Sequence, residues 1–259
     1  MAVPDDVLDR AQRGDRAACS VLLAESYPSV VRMARALTGD AGQADRVVDF
    51  VLRRGARFLP TWRPRNWFYH HTLLAARERA LTPRQGSVQA PQTMQAQPGP
   101  APDPLVPAAP DAEPGYVAFV RAIRGLPRQQ GEAFILHRGE RLNARLLGVT
   151  MDCSSAAAEN HLNAATATLE IIAGDSLACY QRTLSRAYAA LTPPAERIGP
   201  AVAPYARSYT RPLRLRRWAR RTLLLAASLV LTWNTWRWRH ELRAWLGPLA
   251  RQLRARSGL

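Results

Sequence analysis

A chain of 259 residues has room for two small domains or one large one, and 47% hydrophobic residues can supply a core. There is no lysine: all 36 basic residues are arginine, against 20 acids, for a net charge of +16. Residues 207–256 hold 13 of those arginines against the single acid Glu241, so this tail carries +12 and everything before it only +4. The overall charge is therefore no argument that the body of the chain binds nucleic acid.

Cys19, Cys153 and Cys179 lie far apart with no CxxC pair, which argues for a reducing compartment and against a disulfide framework or zinc site. The MAVPDD start has neither the basic flank nor the apolar run of a signal peptide. No phosphate-binding glycine loop, dinucleotide fingerprint, HExxH or GxSxG occurs. Neither an enzyme nor a cofactor is expected, and His70-His71, without carboxylate or cysteine company, is not read as a metal site.

Residues 5–59 read as three helices. Gly14-Asp15 separates the first two, with Asp15 placed to cap the second. Leu22, Leu23, Tyr27, Val30, Val31, Ala34 and Leu37 recur at helical spacing, and Pro28 falls where a new helix can begin. Thr38-Gly39-Asp40 is a stop followed by a start. Val47, Val48, Val51, Leu52, Phe58 and Leu59 then give the third helix an apolar stripe.

The most informative run is 61–79, TWRPRNWFYHHTLLAARER. Trp62, Trp67, Phe68 and Tyr69 are interleaved with Arg63, Arg65, His70, His71, Arg77 and Arg79. Cations that follow phosphates beside flat rings that stack on unpaired bases suit a single nucleic-acid strand. The same rings could simply fill a small helical core, as aromatic stripes usually do. From Trp67 onward no Pro or Gly interrupts, so the aromatics stand at the start of a helix.

Residues 82–114 are rich in Pro, Gln and Ala with no apolar period, and predict an extended linker. Residues 116–170 read as four helices, the first opened by Pro114. Leu142, Leu146, Leu147 and Met151 pack the third, Asp152-Cys153-Ser154 makes a turn, and a long helix capped by Ser154 runs over 155–172. That pair has the shape of a helix-turn-helix. A further helix, 176–191, ends at Pro193-Pro194, and a Pro-punctuated stretch leads to Arg207.

With these phrases on the page, residues 6–79 resemble region 2, and residues 116–170 region 4, of sigma-70 family RNA polymerase sigma factors of the extracytoplasmic-function type. RAQRGDRAA and ALTGDAGQAD stand where region 2 carries similar phrases. The stretch 126–165 aligns with the LPPRQREVFLLR and SVGTVKSRLHRA phrases of region 4 without a gap. The resemblance implies an all-α fold with a region 2-like domain over 1–82, a linker over 83–115 and a region 4-like domain over 116–173. A helical extension follows over 174–213 and a basic tail over 214–259. It implies binding to core RNA polymerase, clamp and flap, and to promoter DNA, with an anti-sigma factor as a possible partner.

Residue by residue, the resemblance assigns strand capture to Trp62, Arg63, Arg65, Trp67, Phe68, Tyr69, His70, Arg77 and Arg79. The helix 41–57 matches the one that docks on the polymerase clamp, through Asp45, Arg46, Val48, Asp49 and Leu52. The family phrase there is close to AEDLVQETF, so an acid has become Arg46 and a Gln has become Asp49. In the recognition helix, Ser155, Asn160 and His161 are the groups able to reach DNA, while the family's cations are replaced by AAENHL. Residues 116–181 carry six Arg and six acids, a net of zero, and duplex binding leans on cations. A sigma fold that binds polymerase or a regulator without initiating transcription is the alternative these departures leave open.

In the tail, TLLLAASLVLTWNTW (222–236) lies between Arg220-Arg221 and Arg237, and is bordered by Trp233, Trp236 and Trp238. It reads as a membrane helix, contacting the bilayer through 222–238 and tethering cytoplasmic domains to the inner membrane. A helix lying in the interface and a buried soluble helix are the alternatives.

Overall fold

In the computed structural model, residues 5–58, 64–81, 103–107 and 113–256 are described, and among them every regular element is helical. Local chemistry sets the breaks. Helix α1 (Asp5–Gln12) ends near Gly14, whose φ of 81° only glycine adopts freely. Asp15 then caps α2 (Arg16–Thr38): its carboxylate accepts from the amides of Ala17 and Ala18 at 2.9 and 3.3 Å. Those donors have no carbonyl to bind inside the helix. Gly39 closes α2 in the left-handed region, and the Gln43 amide donates to Asp40 at 2.7 Å as α3 (Ala41–Phe58) begins. Pro64 opens α4 (Pro64–Leu81).

Pro28 does not start a helix but sits inside α2. Leu22, Leu23, Val30 and Val31 on either side of it are buried, and that packing carries one helix through the lost backbone bond. The second half contributes α5 (Pro114–Gly125), α6 (Arg128–Glu140), α7 (Ala144–Met151) and α8 (Ser155–Ala173). A 3-10 turn leads into α9 (Leu177–Ala190), and α10 (Ala195–Arg256) completes the chain. The Pro-punctuated stretch after Pro194 is thus helical. Pro200 and Pro204 lie on its exposed side while Val202, Ala206, Tyr209 and Thr210 are buried.

The chain forms two compact units, Met1–Thr210 and Arg211–Leu259. In the first, α2, α3 and α4 pack on one another, as do α6, α7 and α8. The two groups also touch: α4 lies against α7, and α2 against α6 and α9. Met33, Ala36, Tyr69 and Leu73 belong to the same buried cluster as Phe119, Phe134, Leu147 and Leu169. Where the sequence suggests two separate domains, the structure has one body with a shared core. An apolar stripe dictates that a helix face is buried, but not against which neighbour.

Most of the expected linker, 83–102 and 108–112, lies outside the described residues. The piece 103–107 forms a turn held in the core. Leu105 is fully buried, and its carbonyl accepts from the Tyr116 hydroxyl at 2.9 Å. The Asp103 carboxylate holds Arg124, whose Nη1 donates to the Ala36 carbonyl at 2.7 Å. This short turn therefore ties α5 to the C-terminal end of α2.

In the second unit, Trp218, Leu223, Leu224, Leu225, Leu229 and Trp233 are each more than half exposed. The expected membrane-spanning helix is not there: among the described residues, no helix is long and apolar enough to cross a membrane. The uncharged run 222–236 is interrupted by Ser228, Thr232, Asn234 and Thr235. At 1.5 Å per residue it reaches only about 22 Å, against a hydrocarbon core of about 30 Å.

Candidate nucleic-acid and polymerase interface

The aromatic cluster sits on the first two turns of α4. Phe68 and Tyr69 are 1% and 3% exposed, and Trp67 is half-buried. Trp67 meets Phe68 edge to face at 5.2 Å and leans over His71 at 4.1 Å. Gly55 of α3 makes room for them: a Cβ there would stand 3.0 Å from both Phe68 Cε1 and Trp67 Cζ3. Trp62 and Arg63 lie outside the described residues, as does the side chain of Arg65.

Three of the residues assigned to strand capture bond groups of the other half of the body. The Tyr69 hydroxyl donates to Glu140 Oε2 at 3.0 Å. His70 Nδ1 lies 3.0 Å from the Thr150 carbonyl, which can only accept, so this nitrogen carries the proton. Arg77 grips Glu132 through Nε and Nη2, at 3.0 and 2.6 Å from Oε2. Burial, helped by His70 and Arg54, pushes the His71 imidazole down to about 4, so it stays neutral near pH 7.

Glu140 is the hub that sequence reasoning missed. Its carboxylate, 4% exposed, accepts from Ser29 Oγ and Arg32 Nε of α2, Tyr69 OH of α4 and Tyr188 OH of α9. Arg32 neutralises the buried charge and three hydroxyls complete its hydrogen bonding, which is what makes its burial tolerable. A lone glutamate at the end of an amphipathic helix gives no signal of such a role in sequence.

On α3, Val48 and Leu52 are buried in the core, whereas Asp45 and Arg46 are exposed and Asp49 is half-buried. Asp49 accepts from Arg53 Nε at 2.8 Å and from the Tyr205 hydroxyl of α10 at 2.9 Å. Burial works to raise the Asp49 carboxyl, but these two hydrogen bonds together with the charges of Arg53 and Arg79 hold the group below its usual range. Only the polar members of the clamp-docking set are thus at the surface, and one of them is already engaged by the C-terminal extension.

The helix-turn-helix geometry is tight. Asp152 turns the chain at φ 58°, and the Cys153 amide donates to the Gly148 carbonyl at 2.9 Å. A Cβ on Gly148 would meet the Cys153 carbonyl oxygen at 2.9 Å, so the turn needs glycine there. Asn143 caps α7 and Ser154 caps α8. Ser155, Glu159 and Asn160 are exposed and His161 is half-buried, so the open side of α8 offers no arginine. Among the described residues no group of His, Cys, Asp and Glu is placed to hold a metal. Compared with known protein families, characterised proteins and solved structures, the chain matches none.

Proposed function

We propose that the chain is a sigma-70-like transcription factor in a closed form, in which the strand-capture helix is locked onto the helix-turn-helix half. One observation carries the reading: Tyr69, His70 and Arg77 of α4 each bond a group of the other half, namely Glu140, Thr150 and Glu132. A ring 3% exposed cannot stack on a base. Capture of a promoter strand therefore requires the two halves to part, and polymerase, through its clamp and flap, would favour the parted form by binding it alone. An anti-sigma partner would favour the closed one. The arginines and tryptophans of α10 support contact with an anionic lipid surface by a helix lying in its plane.

The test is run-off transcription with core polymerase, comparing wild type with Glu132→Gln/Glu140→Gln. The double variant weakens the clasp without adding a charged side chain, so it should give more promoter-dependent transcript than wild type. A second reading, a polymerase-binding regulator that does not initiate, is favoured by the arginine-free surface of α8. Binding to core polymerase without transcript from either protein selects that reading. No binding to the core by either protein removes both.

A further inference from the structure

A cavity of about 710 Å³ opens along α3, lined by four arginines and two aspartates around Phe50, a net charge of +2. Its size lies in the range of small-molecule sites. Asp49 is already occupied by Arg53 and Tyr205. Among the described residues neither Arg46 nor Arg79 forms an ion pair, and Arg79 Nε is buried with no hydrogen-bond partner. A buried guanidinium N–H left unpaired is costly, and it marks a place where an acceptor belongs. The Arg79 guanidinium stands 5.2 Å from the centroid of the Phe50 ring. Contact with an aromatic ring orients a guanidinium while leaving its N–H edge open for bidentate bonding to an oxyanion.

We propose that this cavity is a binding site for the phosphate groups of a polyphosphate, with Arg79 and Arg46 as the principal donors. The lining sets the class: four guanidiniums against two carboxylates leave it net positive, and the arginine fork fits phosphate oxygens. The site goes beyond the transcriptional reading, and it shares Asp45, Arg46 and Asp49 with the residues assigned to clamp docking. A nucleoside polyphosphate and free pyrophosphate share the chemistry, and Phe50 offers a face that only the nucleotide would use.

The test is calorimetric titration of the full chain with pyrophosphate and, separately, with ATP at fixed ionic strength. A saturable phase with about one site per chain is expected. Arg46→Gln, an exposed change that leaves the core intact, and Arg79→Gln should each weaken it by about tenfold. Arg220→Gln/Arg221→Gln, in the basic tail, should leave that phase unchanged. Equal affinities would assign free polyphosphate, and a preference for ATP that Phe50→Leu removes would assign the nucleotide; either upholds the site. Absence of a saturable phase overturns the proposal. So does a phase lost in the tail variant and kept in Arg46→Gln and Arg79→Gln.

Discussion

Arg77 of α4 places Nη2 2.6 Å from Oε2 of Glu132 on α6, pairing residues 55 apart in sequence. Both side chains are largely buried, at 21% and 10% exposure, so the pair is screened less than a surface bridge. Glu132 also accepts from Arg128 one helical turn away, where the arginine is 41% exposed. The same carboxylate thus has one partner that joins the two halves and one that is local.

That difference is measurable. Glu132→Gln should cost about 2 kcal/mol, the scale of a lost charge-assisted hydrogen bond beside a buried cation. Arg128→Ala should cost under about 1 kcal/mol, as exposed pairs do. Urea midpoints at constant slope give both numbers. Equal losses would mean that the α4–α6 bridge adds nothing beyond its local neighbour.

Gly139 precedes the hub carboxylate, and a Cβ there would lie 2.5 Å from Tyr188 Cδ2. Tyr188 is 1% exposed and its hydroxyl is bound to Glu140, so the ring has little room to yield. Gly139→Ala should destabilise by about 2 kcal/mol through overpacking. Gly125→Ala, with nothing within 4 Å of the new Cβ, should be neutral or stabilise by about 0.5 kcal/mol. Thermal melts of the two variants decide the matter, and a stable Gly139→Ala protein would show that α9 shifts easily.

His71 gives a pH dependence with a defined sign. Its imidazole falls from 6.5 to about 4 on folding, chiefly by burial, then by the nearby His70 and Arg54 charges. The unfolded chain therefore takes up a proton that the folded chain refuses between those values. The stability from the neutral imidazole is complete above about 6.5 and is lost as pH falls toward about 4. His71→Gln should lose less stability than wild type between pH 7.5 and pH 5, read as the difference in urea midpoints. Parallel losses would place the acid sensitivity in other groups.

The tail should behave as an electrostatic contact. Among the described residues no helix is long and apolar enough to cross a bilayer, and the tail's arginines attract anionic headgroups. The full chain should bind vesicles containing phosphatidylserine, with a blue shift in tryptophan emission, and release as salt rises from about 0.1 to about 1 M. Equal binding to neutral vesicles would make Leu223, Leu224, Leu225 and Trp233 the anchor and the arginines incidental.

Helix positions were largely legible in the chain itself because their causes are local. Asp15, Gly39, Ser154 and Pro114 each act within one turn, so a few adjacent residues are enough to place a start or a stop. The turn between α7 and α8 is legible for the same reason. Pro28, Pro200 and Pro204 mislead because a local breaker is overridden by apolar side chains buried on the far side of the same helix.

The use of the aromatic run was not legible. Phe68 and Tyr69 present the same letters whether they stack on a base or fill a core, since both environments reward a flat apolar ring. What decides between them in this fold is the pairing of Tyr69 with Glu140 and of Arg77 with Glu132, between residues 71 and 55 apart. Periodicity says that a helix face must be covered and charge says that a buried carboxylate needs donors. Which helix supplies the cover and which side chains the donors depends on how the segments pack in three dimensions, and in this fold they join the two halves into one core.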